Sequence, residues 1–232
     1  MPALIIHGHF YQPPRENPWT GIVEDQPSAA PFHDWNERIH FECYRPNAFV
    51  RLSDEEPDQQ FVNNYELLSF NFGPTLLSWL EQNHSYTYER IREADRLSAL
   101  QHHGHGNAIA QAYGHAILPL CNDRDLRTQI RWGLADFRYR FGREAESLWL
   151  PETACNDRVM SALIDEDLRY VILAPHQAKC VRTRSGSDGI DTSVPYRYVD
   201  RDSKSIAVFF YDGATSRAIA FERLLSSSRE LV

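Results

Sequence analysis

Short apolar runs separated by longer stretches of helical period constrain this chain more than any other feature. Leu4-Ile5-Ile6 is the first run and residues 67–72 are the second. Weaker runs lie at 107–110 and 147–150, and clear ones return at Tyr170–Leu173 and 206–211. Tyr196–Val199 adds one more. Strands that are apolar without alternation belong to a parallel sheet covered on its outer face.

Helices are predicted in the gaps. Pro74 follows Gly73 and suits a first helical position, where its missing N–H costs nothing. Leu126, Ile130, Leu134, Phe137 and Phe141 lie on one helical face, with Asn122 or Asp123 as the cap. Val159, Met160, Leu163 and Ile164 repeat the pattern after Asn156, and Ala218, Phe221, Leu224 and Leu225 repeat it near the end. Strand–helix alternation gives an α/β fold with right-handed crossovers. Six or seven such units point to a barrel, with the open doubly wound sheet as the alternative. Residues 11–34 carry five prolines and break the rhythm. Residues 182–192, rich in Ser, Gly and Asp, read as an exposed loop.

Composition removes several function classes. Lys+Arg 24 against Asp+Glu 32 gives a net charge of −8, the wrong sign for general nucleic-acid binding. No run approaches the roughly 20 apolar residues of a membrane helix. The N-terminus lacks the basic region and long apolar core of a signal peptide. Cys43, Cys121, Cys155 and Cys180 form no CxxC pair and read as free thiols, so a cytoplasmic location is expected.

The polar residues near the runs carry the chemistry. His7, His9, Tyr11 and Gln12 follow the first, and Asn71 and Gly73 close the second. His115 lies in the connection after the third, Trp149 and Glu152 end the fourth, His176 follows the fifth, and Asp212 ends the last. In an α/β barrel the C-terminal strand ends share one rim, which is where active sites form. Glu152 and Asp212 are then candidates for a carboxylate pair that cleaves glycosidic bonds. The ordinary structural reading has Glu152 capping a helix and Asp212 in an Asp-Gly turn.

Ten histidines also raise a metal reading, from His7-x-His9 or His102-His103-x-His105. With no HxxxH motif and no early Asp-Asp pair, metal is not expected in the chemistry, and the second set reads as a polar loop. Cys155, close to Glu152, reads as a buried thiol rather than a nucleophile. Asp54-Glu55-Glu56 and Asp165-Glu166-Asp167 read as solvated faces or helix ends.

Five motifs resemble glycoside hydrolase family 57. They are His7-Gly-His-Phe-Tyr-Gln-Pro-Pro, Ser69-Phe-Asn-Phe-Gly-Pro-Thr-Leu-Leu-Ser-Trp-Leu, Tyr113-Gly-His-Ala-Ile-Leu-Pro-Leu, Trp149-Leu-Pro-Glu-Thr-Ala and Phe209-Phe-Tyr-Asp-Gly. They run in the family's order through nearly the whole chain. The resemblance implies an incomplete (β/α)7 TIM-like barrel and activity on α-glucans, as amylase, 4-α-glucanotransferase, amylopullulanase or branching enzyme. It also implies a retaining mechanism with no cofactor.

By position, Glu152 matches the family nucleophile and Asp212 the general acid/base, so Asp212 is expected to hold its proton more readily than Glu152. His7, His9, Gln12, Asn71, His115, Trp149 and His176 are the expected substrate contacts. The partner implied is an α-glucan or maltooligosaccharide, with no nucleic acid and no membrane. An inactive carbohydrate-binding remnant and a metal-dependent polysaccharide deacetylase are the competing readings. The sequence departs from the family in lacking a glutamate in Gly106-Asn107-Ala108-Ile109, and in ending 20 residues after Asp212. Residues 1–232 are thus expected to form one barrel domain without the helical region that follows it in the family.

Overall fold

A computed structural model describes residues 4–51, 61–181, 189–227 and 229. The expected loop at 182–192 falls largely outside these residues, and Asp54-Glu55-Glu56 falls wholly outside. The chain gathers into two compact units. The first is Met1–His115 with Trp132–Ala145, and the second is Ala116–Arg131 with Glu146–Val232. Among the described residues, no helix is long and apolar enough to cross a membrane.

In the first unit, β1 (His7–Phe10) pairs in parallel with β2 (Ser69–Phe72), with His7 opposite Ser69 and His9 opposite Asn71. A parallel bridge from Phe70 to Ala108 continues the ladder toward β3 (Ala110–Gln111). The first two strands begin later than the apolar runs predict. Leu4, Ile5 and Leu67 are exposed, and pairing starts at His7 and Ser69. The reason is local: the paired stretch carries polar side chains that satisfy one another across the strands, so hydrophobicity marks the approach to each strand.

Helix α1 (Trp35–Ile39) is capped by Asp34, whose Oδ1 accepts from the Asn36 and Glu37 amides at 2.8 and 3.0 Å. The chain then runs through a π-helical turn at His40–Tyr44 into α2 (Arg45–Ala48). α3 (Pro74–Asn83) starts at Pro74 as its position predicts, and α4 (Ser85–Gln101) follows. Phe10 packs edge-on against Tyr44 and Tyr65 at centroid distances of 6.1 and 5.3 Å, and Tyr65 and Phe70 are fully buried. His102 to His105 form an exposed polar turn after α4.

Helix α5 (Asp123–Phe141) gives residues 123–131 to the second unit and 132–141 to the first. Asn122 Oδ1 accepts from the Asp125 amide at 2.9 Å, which makes Asn122 the cap. Leu126, Ile130 and Phe137 are buried, as the spacing predicts. At Gly133 the helix backbone passes so close to β3 that an added Cβ would run into the Gln111 carbonyl oxygen. Gly→Ala in an open helix stabilises by about 1 kcal/mol. Here the neighbour is backbone and cannot turn aside, so Gly133→Ala should instead destabilise by about 1–3 kcal/mol. Urea unfolding measures the sign directly, and a raised midpoint would rule out the close approach.

In the second unit, β4 (Leu148–Trp149) is preceded by a parallel bridge from Ser147 to Tyr170. β5 (Tyr170–Leu173) pairs in parallel with β7 (Ser205–Phe210), with Tyr170 opposite Ala207. β6 (Tyr196–Val199) has the expected residues but runs antiparallel to β7. The parallel expectation fails there because the connection is too short for a crossover. A tight turn closes the hairpin, with Asp200 Oδ1 accepting from the Asp202 and Lys204 amides at 2.9 and 2.8 Å.

Asn156 caps α6 (Asp157–Asp165), and Val159, Met160, Leu163 and Ile164 are all buried, as predicted. Asp165 meets Arg127 and Glu166 meets Arg131, so these are paired surface carboxylates at a helix end. α7 (Gly213–Phe221) departs from expectation, since it has no buried residue and Phe221 is 83% exposed.

Candidate active site

Two sets of polar side chains stand at the strands, one in each unit. In the first, the parallel register brings His7, Ser69, His9 and Asn71 together. His7 Nδ1 lies 2.9 Å from Ser69 Oγ, and His7 Nε2 lies 3.1 Å from Asn71 Oδ1. Asn71 Nδ2 lies 3.0 Å from His9 Nδ1 and donates to Gln111 Oε1 at 2.7 Å. His9 Nε2 lies 3.3 Å from His115 Nε2.

His9 Nδ1 also lies 3.2 Å from Asn71 Oδ1, so two tautomers of His9 fit. Ser69 donates to His7 Nδ1, His7 Nε2–H donates to Asn71, and Asn71 donates to Gln111, while His9 either accepts from Asn71 and donates to His115 or donates to Asn71 and accepts from His115. Each imidazole on β1 is then neutral. Burial pushes His7 down to about 4, against a raising contribution from its Asn71 bond. His9 also falls to about 4, again chiefly by burial, with Asn71 opposing and the His115 and His7 charges reinforcing. His115 sits in the left-handed region at φ 53° and stacks on Tyr11 at 3.8 Å between ring centroids.

Gln111 is the residue that motif reading misses. It is 2% exposed, and its Nε2 has no hydrogen-bond partner among the described residues. Its signal in the sequence is a lone long polar side chain inside the apolar run Ala108-Ile109-Ala110, but only register places it beside Asn71. Gln12 lies just beyond β1, where its Oε1 accepts from Arg15 Nη2 at 2.6 Å.

The neutral histidines have a pH signature. Unfolded histidine titrates near 6.5 and folded His7 near 4, so between these values the unfolded chain binds more protons. Stability should fall as pH drops from about 6.5 toward 4, and be flat in this respect above 6.5. The His7 share is about 3 kcal/mol. His9 is exposed along one face, so solvent screening leaves it a smaller share. Unfolding free energy against pH measures the slope, and His7→Asn should flatten it.

In the second unit, Ser147, Tyr170 and Ala207 form one row across three parallel strands. Glu152 and Asp212 each lie five residues downstream of that row, beyond the ends of β4 and β7, the two neighbours of β5. Pro175 is at the same count in β5, followed by the exposed His176. Trp149 stands half-buried on β4. Two inter-strand spacings put the backbones of β4 and β7 roughly 9–10 Å apart.

Glu152 is exposed and has φ 56°, and Thr153 after it has φ 50°. Two consecutive non-glycine residues in this region store strain, which clusters at functional sites. Asp212 is exposed and caps α7, with Oδ1 accepting from the Thr215 amide at 2.7 Å. That bond and the Thr215 side chain hold the carboxyl below the usual carboxylate range. A helix N-terminus stabilises the ionised form, so this cap works against an Asp212 that holds its proton more readily. Burial raises the Cys155 thiol, which suits an inert thiol rather than a nucleophile.

Comparison with known proteins bears on the whole chain. The sequence model of glycosyl hydrolase family 57 matches residues 4–228. An alpha-amylase of Pyrococcus horikoshii is 25% identical over 209 residues, which is 90% of this chain and 29% of that protein. Alpha-amylase 1 of Dictyoglomus thermophilum is 24% identical over 154 residues, 66% of this chain and 20% of that protein. The chain thus spans less than a third of either curated relative. A crystal structure of 4-alpha-glucanotransferase from Thermococcus litoralis superposes with a TM-score of 0.61 at 16% identity, covering 95% of this chain and 30% of that one. That likeness is one of fold.

Proposed function

This chain belongs to glycosyl hydrolase family 57, and we propose that it carries the catalytic carboxylates of a retaining enzyme acting on α-glucans. The fold we assign to it is the incomplete (β/α)7 barrel. Glu152 is the nucleophile and Asp212 the acid/base. The observation that carries this reading is the shared row Ser147–Tyr170–Ala207, five residues upstream of both carboxylates. Parallel strands release their C-terminal ends at one edge, where barrel chemistry is built. Retention needs carboxyl groups about 5–5.5 Å apart, which side chains leaning in from alternate strands can meet.

The reaction runs in two displacements. Glu152 attacks the anomeric carbon as Asp212 gives its proton to the departing glycosidic oxygen, leaving a β-glycosyl ester on Glu152. Asp212 then takes a proton from water or from a sugar hydroxyl, which attacks the ester and regenerates Glu152. Water gives hydrolysis and a sugar hydroxyl gives transfer. The Thr215 cap favours the second half-reaction, in which Asp212 must be ionised. The first half requires that cap bond to loosen.

Trp149 and His176 are the sugar contacts proposed in the second unit. In the first unit His7, His9, Gln12 and His115 offer a hydroxyl-binding surface, backed by the buried Asn71 and Gln111. An uncharged surface suits a neutral polysaccharide and needs no cofactor. We assign the protein to the cytoplasm on its four free cysteines. The test is incubation of wild type, Glu152→Ala and Asp212→Ala with maltooligosaccharides and glycogen. Turnover by wild type alone supports the assignment, whereas equal turnover by all three removes it. Sugar binding by wild type without turnover would point to the carbohydrate-binding remnant.

A further inference from the structure

We propose that Glu37, His40 and His84 form a binding site for a divalent cation of the zinc type, separate from the carboxylates that carry glycan chemistry. Glu37 and His40 are three residues apart across the end of α1, a spacing that projects two side chains from the same side of a helical turn. His84 comes from the junction between α3 and α4. One ligand atom from each residue falls within 4.8 Å of the others. Two imidazoles and a carboxylate are the donor set that zinc takes with a fourth position left to water.

The setting of each donor fits the role. His84 Nε2 lies 2.9 Å from Glu37 Oε2, so two of the donors already converge through a shared proton that a cation would replace. His40 is 6% exposed, and its Nε2 lies 2.9 Å from Thr87 Oγ1. Donation from Nε2–H to Thr87 fixes the ring and leaves Nδ1 with its lone pair, the outer-shell arrangement typical of metal-bound histidine. Glu37 and His84 keep 35% and 25% of their side chains in solvent, which gives an ion a way in.

The two rings are stacked, 3.6 Å between centroids and 20° between planes. Stacked rings do not aim both lone pairs at one point, so His84, the outer ring, turns about its Cβ–Cγ bond when the ion binds. The π-helical turn beginning at His40 is a local irregularity of a kind found frequently at functional sites. The bound ion would tie the end of α1 to the α3–α4 junction.

The experiment is a calorimetric titration of the full chain with zinc chloride, beside thermal unfolding with and without zinc. One saturable equivalent and a raised midpoint are expected in wild type. Glu37→Gln and His84→Gln keep size and polarity, and each should weaken binding at least tenfold and lose the zinc-dependent rise. Glu37 is partly exposed, so its variant keeps the test usable should the histidine variant fail to fold. Cobalt(II) in place of zinc should give visible bands without a sulfur-to-metal charge-transfer band. No saturable binding, unchanged affinity in the variants, or a thiolate band that assigns the ion to cysteine would each overturn the site.

Discussion

Glu152→Gln is expected to lower kcat on a maltooligosaccharide on the order of 10³-fold or more, with KM little changed. An amide keeps the size of the carboxylate but cannot form the glycosyl ester, so binding survives and the first displacement is lost. The informative variant is Glu152→Ala with sodium azide. Azide can enter the space left by the side chain and attack the anomeric carbon, while Asp212 protonates the departing oxygen. One inversion gives a β-glycosyl azide. Asp212→Ala with azide should instead give the α-azide, because azide then displaces Glu152 from an ester already formed. If the two products are exchanged, the roles of the two carboxylates are exchanged. That outcome has a physical basis, because the Thr215 cap holds Asp212 ionised, as a nucleophile would be.

Arg143→Ala is expected to cost about 3–5 kcal/mol of stability. Asp95 on α4 is 1% exposed and accepts from Arg143 Nε and Nη2 at 2.9 and 2.7 Å and from the Ala108 amide at 2.8 Å. Arg143 Nη2 also donates to the Ala108 carbonyl at 2.7 Å, so the pair clamps the strand that leads into β3. Truncating the arginine leaves a carboxylate in the interior with, among the described residues, one amide for company. The reverse change, Asp95→Asn, should cost less, because Arg143 is partly exposed and can turn to water. The double variant Asp95→Leu, Arg143→Met should recover much of the loss, since it buries no charge. Urea unfolding of the three variants measures the order, and equal losses for both single variants would remove this account.

Caps and apolar repeats were legible in the sequence. Asn156 and its apolar repeat foretold α6, because a cap and a 3.6-residue period are local properties, whereas α1, α2 and α4 were not singled out. Tyr170–Leu173 was plain as a strand, and Tyr196–Val199 was a weaker addition to the set. Partner direction was less plain, because alternation and apolarity do not say which strand lies alongside. The short Asp200 to Lys204 connection was the available signal for the β6 hairpin. Leu4-Ile5-Ile6 misplaced β1 because the paired residues are polar and satisfied by a strand 62 positions away.

The candidate site followed the same division. Motifs pointed to Glu152, Asp212, His9 and Asn71 as residues, but not to their settings. The left-handed backbone at Glu152 and the cap at Asp212 arise from chain geometry after strands, which composition does not encode. Gln111 joins Asn71 only through the β2 to β3 ladder. Glu37 and His40 stand in no motif singled out in the sequence, and His84 becomes their neighbour only when α3 and α4 are in place.

The chain of bonds from Ser69 to His115 has a polarity. An amide accepts at one end and donates at the other, so Asn71 dictates the direction of the hydrogens it shares with His7 and Gln111. Turning the amide alone would set its Nδ2 against His7 Nε2–H and its Oδ1 against Gln111 Oε1. The row is therefore fixed from Ser69 to Gln111, and its freedom lies at the His9–His115 end, where His9 Nδ1 meets both atoms of the Asn71 amide. A substitution at Asn71 would be felt at His115 through His9, which bonds to both.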